Sequence, residues 1–211
     1  KWHGFDNDRI RIDCGIHAEY TSNHQLWDGL SAYAKEKGLG MQLHLSESAQ
    51  EAESCADRTG LYPAQLLDCH GMFSVPATAA GCAGLTPEEI ELLGRRKATA
   101  VITPATAAKN GCAATDILAC VKSGMNVTLG TGGVHECGSM DLFDQLRGCI
   151  QDARRNAGKI EAMPAHGGDV AMTMVRGKIL YQNGRFPTID LNAVVEELTT
   201  YAIPKLFSDD Q

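Results

Sequence analysis

Gly15–Thr21, with the sequence GIHAEYT, and Leu43–Glu47, with the sequence LHLSE, decide the fold of this chain. Each stretch stands where a β-strand is predicted to end and a helix to begin, so each predicts a βα corner. In a parallel α/β fold these corners share one face, where such folds place their chemistry. His44 could ligate a metal ion, and Glu47 could handle the proton of a metal-bound water.

Strand and helix signals alternate along most of the chain. Short apolar segments predict five strands, near residues 10–16, 41–45, 78–83, 98–103 and 126–130. Five strand-then-helix units in sequence predict a parallel sheet, its strands adjacent in that order, with helices outside it.

Two helices carry the clearest end signals. Thr86-Pro87-Glu88-Glu89 (TPEE) predicts an N-cap, a proline at the first helical position and a capping box closed by Glu89.

An earlier helix is predicted to start after Asn23 and to end at Gly38. Its apolar residues Leu26, Leu30 and Tyr33 fall on one face, so we expect that face to be buried.

After residue 157 the pattern changes. Val170–Val175 and Lys178–Tyr181 predict a β-hairpin around the two residues between them, and a last helix begins near Leu191. We therefore predict two parts, a β/α part over residues 1–160 and a small β element with a helix over residues 161–211.

Composition and charge limit the possible partners. A formal charge of −7, with no basic run longer than Arg95-Arg96-Lys97, gives no footprint for nucleic acid. No stretch approaches 18 consecutive apolar residues, so no transmembrane helix is expected. The first residues lack an apolar signal region, which predicts a cytoplasmic protein.

Eight cysteines are many for 211 residues. They form no Cys-x-x-Cys pair and no regular spacing, which disfavours a disulfide framework and a zinc ribbon. Most are expected to be small buried hydrophobic residues in a reducing compartment.

Several motifs together resemble a known family. Gly15–Thr21, Leu43–Glu47, Leu85–Ile90 (LTPEEI) and Leu129–Gly133 (LGTGG) resemble the second half of an amidohydrolase-superfamily barrel. The pattern is most similar to the methylthioadenosine/S-adenosylhomocysteine deaminase group, and Val175–Arg185 resembles that family's closing strands.

The resemblance implies a partial (β/α)8 TIM-like barrel, comprising about strands 4–8, with a small C-terminal β element. It also implies a metal-dependent hydrolase that uses a divalent ion, zinc or iron, to cleave a C–N bond of a purine-like substrate.

The resemblance also implies roles for individual residues. His44 matches the metal ligand after the fifth strand, Glu47 the catalytic carboxylate that shuttles a proton, and His17 a substrate-binding histidine after the fourth strand. Two positions depart from the family pattern. Gly81 stands where the family has a histidine after the sixth strand, and Gly132 stands where it has a metal-binding aspartate. The segment that bears the family's first histidine pair has no counterpart in this sequence.

These departures leave several interpretations of the site residues open. A catalytic zinc needs about three protein ligands, and only His44 is identifiable among the family's set. His135–Cys137 (HEC) could supply replacement ligands. Without a metal, His44 would be a hydrogen-bonded strand-end histidine and His17 a solvated corner residue. Glu47 would then do no more than complement a helix dipole.

Two functional hypotheses follow from these interpretations. The first is a metal-dependent deaminase of adenosine-type substrates, and the second is a non-catalytic barrel remnant or redesigned scaffold without bound metal. We expect His17, His44 and Glu47 to line one cleft, no stoichiometric metal to be bound, and the chain to be inactive with these residues. Five barrel strands leave two open sheet edges, which a homo-oligomer could cover.

Overall fold

The computed structural model describes residues 2–157, 172–175 and 177–206. The chain divides into two compact units, Lys1–Pro164 and Ala165–Gln211. The predicted boundary between residues 160 and 161 lies outside the described residues, as does the connection over residues 162–169, and the boundary stays a prediction.

The first unit is built on one parallel sheet. Its five strands are adjacent in chain order and every neighbouring pair is parallel, which confirms the predicted topology. The strands are β1 (Cys14–Gly15), β2 (Met41–Leu45), β3 (Ala77–Gly81), β4 (Thr99–Ile102) and β5 (Asn126–Leu129). In this sheet β1 and β5 form the two edges, and a homo-oligomer that covers them stays a prediction.

The first strand is shorter than predicted. The alternating residues 10–13 do not extend β1, because the chain before it folds back on itself. Ile10 pairs with Phe5 in an antiparallel bridge, and the amide of Ile12 donates to the ring of His3. Only Cys14 and Gly15 therefore pair with β2 as a strand.

Eleven helical segments occur among the described residues: α1 (Phe5–Asp8), α2 (His24–Lys37), α3 (Ala49–Thr59), α4 (Pro63–Cys69), α5 (Pro87–Arg95), α6 (Pro104–Lys109), α7 (Ile117–Ser123), α8 (Val134–Cys137), α9 (Leu142–Ala157), α10 (Leu191–Glu197) and α11 (Ile203–Leu206). A short 3-10 turn covers Glu19–Thr21, and a π-helical turn, Leu198–Ala202, joins α10 to α11. No helix in the described part of the chain is long and apolar enough to cross a membrane.

The helices of the first unit bury one face of the sheet. Alternate residues Met41, Leu43 and Leu45 of β2 are buried, whereas Gln42 and His44 between them are exposed. The buried set joins a core that includes helix residues such as Leu67 of α4 and Leu93 of α5. Because strand side chains alternate with a period of two, the other face carries His44 and its registered neighbours.

Helix α2 begins and ends where the sequence predicts, but it buries a different face. The Asn23 side chain accepts from the amide of Leu26, and Gly38 ends the helix with a φ of 65°. The buried residues are Trp27, Ser31 and Ala34. The prediction for Leu26, Leu30 and Tyr33 was wrong for Leu26 and Tyr33, which are exposed.

The orientation of α2 follows from the contacts of one residue. The Trp27 ring packs against His70, and its indole N–H donates to the Ser22 hydroxyl at 2.7 Å. Because Trp27 has the largest side chain of the helix and is buried, the buried face runs through residues 27, 31 and 34, one position after the residues 26, 30 and 33 that apolar spacing predicts.

The second unit contains the predicted hairpin. Strands β6 (Met172–Val175) and β7 (Lys178–Gln182) pair antiparallel, with a register irregularity at Thr173 and Met174. Helix α10 begins at Leu191, as predicted, and the Asp190 side chain caps it by accepting from the amide of Ala193.

All eight cysteines are free, and five of them are buried: Cys14, Cys55, Cys82, Cys120 and Cys149. Burial raises the pKa of the Cys55 thiol to about 11, so the thiol stays protonated at neutral pH. These residues are small core side chains, as expected.

The predicted capping box at α5 is present and has a second role. Glu89 is fully buried, and its carboxylate accepts from the amide of Thr86 at 2.9 Å and from the amide of Ala64 at 2.8 Å. One side chain thus caps α5 and holds the start of α4 beside it. Burial raises the pKa of the Glu89 carboxyl.

We expect Glu89→Gln to lower the free energy of unfolding by about 1–3 kcal/mol, because an amide offers one acceptor and turns a donor toward the second buried N–H. Chemical denaturation measures this loss. Glu88→Gln is the matched control, because Glu88 is exposed on the same helix. Equal losses for the two variants would contradict the bridging role of Glu89.

Candidate functional site

The predicted residues gather at the carboxyl ends of β1 and β2. His17 follows β1 by two residues, His44 is the fourth residue of β2, and Glu47 follows β2 by two. The amide of His44 donates to the carbonyl of His17 at 2.9 Å, which continues the pairing of the two segments beyond the end of β1.

The two histidines lie side by side on the exposed face. Their ring centroids are 5.1 Å apart, with an angle of 47° between the ring planes. Nδ1 of His44 lies 3.0 Å from the His17 carbonyl oxygen. Because a carbonyl can only accept, Nδ1 of His44 carries the hydrogen.

A similar argument orients His17. Its Nδ1 lies 3.3 Å from the Thr21 hydroxyl, and that hydroxyl donates its own hydrogen to the Ala18 carbonyl at 3.1 Å. Nδ1 of His17 is therefore the donor to Thr21. In the neutral imidazole, Nε2 of each histidine then carries a lone pair.

Glu47 occupies a strained corner between β2 and α3. Ser46 has a φ of 46°, in the left-handed region. The Glu51 carboxylate accepts from the amides of Ser46 at 3.1 Å and Glu47 at 2.8 Å, which holds the turn in place. Ser48 then caps α3 by accepting from the amide of Glu51. Burial raises the pKa of the Glu51 carboxyl.

The side chain of Glu47 lies against Gly81, the last residue of β3. A Cβ atom on Gly81 would stand 2.7 Å from Cγ of Glu47. Glu47 and Gly81 line a small cavity of about 30 Å³, and Glu47 also lines an open cavity of about 470 Å³. Neither His17 nor His44 lines these two cavities. The structure thus brings the two histidines together, and a cleft common to all three residues stays a prediction.

The open cavity contains an ion pair that the sequence pattern did not predict. Glu19 is buried, and it accepts from Nη2 of Arg58 at 2.5 Å. Tyr20 lines the same cavity, and burial raises the pKa of its hydroxyl. A buried carboxylate needs a partner, and Arg58 lies 39 positions away in the sequence. The only local signal was the place of Glu19 within the corner motif.

The position of Gly132 is also enclosed by neighbouring polar groups. A Cβ atom there would stand 2.7 Å from Oε2 of Glu136 and 2.8 Å from the Thr106 hydroxyl. Oε2 of Glu136 accepts from the amide of Gly133 at 3.0 Å, and the buried Thr106 hydroxyl has no hydrogen-bond partner among the residues that the structure describes. The Glu136 carboxylate therefore occupies space that a side chain at position 132 would need.

The donor set does not fit a tetrahedral zinc site. The neighbours in register with His44 across the sheet are Ala80, Val101 and Thr128, none of which offers an imidazole, thiolate or carboxylate. His135–Cys137 does not complete a set, because no group of three or more His, Cys, Asp or Glu residues in the described ranges is arranged to hold a metal ion.

Comparison with known proteins identifies the scaffold. The model of the amidohydrolase family matches residues 1–174. A 5-methylthioadenosine/S-adenosylhomocysteine deaminase of Caldanaerobacter subterraneus is 33% identical over 145 residues, which cover 69% of this chain and 34% of that protein. A 5'-deoxyadenosine deaminase of Methanothermobacter thermautotrophicus is 28% identical over 163 residues, which cover 77% of this chain and 38% of that protein. The chain spans little more than a third of the length of these curated relatives.

Solved structures agree on the fold. An adenosine deaminase of Xanthomonas campestris with bound zinc superposes with a TM-score of 0.85 at 18% identity, over 95% of this chain and 58% of that chain. A guanine deaminase of C. acetobutylicum with bound guanine superposes with a TM-score of 0.67 at 23% identity, over 76% of this chain and 40% of that chain. The five parallel strands thus correspond to part of a TIM-type barrel.

The contact between Glu47 and Gly81 gives a stability prediction. Gly81→Ala should lower the free energy of unfolding more than Gly60→Ala does. Both glycines have a positive φ, 95° at Gly81 and 78° at Gly60, but a Cβ at Gly60 meets none of the described atoms within 4 Å. The left-handed backbone conformation alone costs an alanine about 1–2 kcal/mol at each position. The additional loss at Gly81 should be smaller in a protein that also carries Glu47→Ala, because that change removes the Cγ atom that a Cβ at position 81 would meet. Urea denaturation of the four variants measures both quantities, and equal costs at the two glycines would show that Glu47 does not crowd this corner.

Proposed function

The chain belongs to the amidohydrolase family, and from this premise we propose that it is a deaminase-type barrel segment that performs no deamination with the residues it carries. The proposal rests on the row of residues that lie in register with His44 across the sheet. Its registered neighbours are Ala80, Val101 and Thr128, so one imidazole stands where a catalytic ion needs about three protein ligands.

The two glycine positions support the same conclusion. Gly81 and Gly132 have no side chain where the family resemblance expects a histidine and a metal-binding aspartate. Glu47 crowds the first position, and Glu136 and Thr106 crowd the second. The space that a histidine at position 81 or an aspartate at position 132 would need is therefore partly filled. Introducing either side chain requires these neighbouring residues to move as well.

The ligand class follows from the relatives. They are named deaminases of 5-methylthioadenosine, S-adenosylhomocysteine and 5'-deoxyadenosine, which are purine compounds. A purine-like small molecule is accordingly the substrate class to test. His17, after the end of β1, is the residue proposed to bind it, and Glu47, beside the open cavity, is the proposed catalytic carboxylate.

An active deaminase is the alternative, and it needs additional chain. Because this sequence covers little more than a third of its relatives, further strands of a longer protein, or a second chain, could supply metal ligands. Even then, Gly132 leaves such a site one carboxylate short.

We expect the purified protein to retain no stoichiometric zinc or iron after dialysis, and to release no ammonia from adenosine, 5-methylthioadenosine or S-adenosylhomocysteine. The reason is the incomplete ligand set, since even the loss of outer-shell partners lowers metal affinity about 10–100-fold each. Elemental analysis and an ammonia-release assay measure the two quantities. The related deaminase of Caldanaerobacter subterraneus serves as the positive control.

Circular dichroism and a cooperative thermal transition must first show that the protein is folded. One equivalent of metal, together with turnover that a chelator abolishes, would overturn the proposal. His135–Cys137 would then be the first residues to substitute.

A further inference from the structure

We propose that the outer helices α5 and α7 form the contact surface of a twofold-symmetric dimer of this chain. An open groove of about 460 Å³ lies between the two helices, and its apolar lining is Leu85, Pro87, Ile90 and Ala119. This surface belongs to the helix layer and is separate from the open sheet edges at β1 and β5. The dimer does not depend on whether the chain has enzymatic activity, because His44 lies on the other face of the sheet.

Helix α7 turns two large apolar side chains toward solvent. Leu118 is 52% exposed and Val121 is 55% exposed, although the helix has only seven residues. The two residues are three positions apart, so they stand on the same face of the helix. Because Lys122 follows Leu118 by one turn and lines the groove, this apolar stripe borders the groove.

Opposite charges stand at the two ends of the stripe. Asp116 caps the start of α7, and Lys122 lies in its last turn, about 9 Å further along the helix axis. Both residues line the groove, as does Glu91 of α5. Neither Asp116 nor Lys122 forms an ion pair within the described part of the chain. The groove therefore offers one acidic and one basic group of α7 to a partner.

A second copy of the chain matches this order of charges. When two α7 helices run antiparallel about a twofold axis near Ala119, Lys122 of each copy faces Asp116 of the other. The same axis places Leu118 of each copy beside Val121 of the other, between the two ion pairs. The antiparallel helix dipoles also attract each other. The stripe and its charges are thus complementary to themselves, which a partner of a different sequence does not require.

The first test is sedimentation velocity of the full chain over a range of protein concentrations. A reducing buffer keeps the exposed Cys69 from forming disulfides. A surface built on one short helix and its groove is small, so we expect a reversible dimer that dissociates on dilution. Leu118→Glu places a charge in the apolar centre and should lower the association constant at least tenfold. Leu26→Glu is the matched control on α2, where Leu26 is 45% exposed, and should leave association unchanged.

A double-mutant cycle tests the ion pairs themselves. Asp116→Asn keeps the helix cap, because asparagine caps as well as aspartate, and Lys122→Gln removes the basic group. Each change should lower the association constant about two- to tenfold, since the symmetry removes two exposed pairs at once. The double variant should lose little more than either single variant, because the second change has no pair left to remove. Circular dichroism verifies that each variant is folded.

Three outcomes overturn the proposal. One is a protein that stays monomeric at every concentration. Another is association that Leu118→Glu leaves unchanged, which places the contact elsewhere, for example at the open sheet edges. The third is additive losses in the cycle, which show that Asp116 and Lys122 do not face each other. Metal-dependent turnover contradicts the proposed inactivity alone, so failure of one proposal is distinguishable from failure of the other.

Discussion

The register of the parallel sheet is the constraint on which the rest of this structure depends. Leu43 pairs with Ala79, Ala79 with Ala100, and Ala100 with Val127, and this row packs toward the helices. Since side chains alternate along a strand, a slip of one residue would bury His44 and expose Leu43. Packing of the core therefore fixes the face on which a potential ligand appears.

The corners that follow the strands depend on this register and add their own constraints. Ser46 adopts a left-handed backbone that costs conformational energy, and the Glu51 carboxylate compensates by accepting two amides of the turn. Across β3, Gly81 allows Glu47 to approach closely. Gly81, where the family resemblance expects a histidine, thus also shapes the position of the Glu47 carboxylate.

Scaffold and chemistry separate clearly in this chain. The apolar alternation, the cap at Thr86 and the corner motifs maintain a barrel-type sheet that superposes on distant deaminases. Activity needs a few side chains at specific positions, whereas the fold is present with glycine at positions 81 and 132, where the family resemblance expects a histidine and an aspartate. Family membership follows from the match of the family model over residues 1–174, whereas function must be argued at His17, His44, Glu47 and the two glycines.

The sequence by itself determined the parallel order of the five strands, the capping box of α5, the C-terminal hairpin and the absence of side chains at Gly81 and Gly132. These features depend on local periodicity and residue type, which are readable without tertiary contacts. Only the tertiary structure decided the length of β1, the buried face of α2, the pairing of Glu19 with Arg58, and the contact of Glu47 with Gly81. The buried face of α2 and the ion pair of Glu19 depend on contacts between residues distant in sequence, such as that of Trp27 with His70, whereas the length of β1 depends on the fold-back of Ile10 onto Phe5 just before the strand. Local patterns specify what an element is, but packing between elements decides which of its side chains meet.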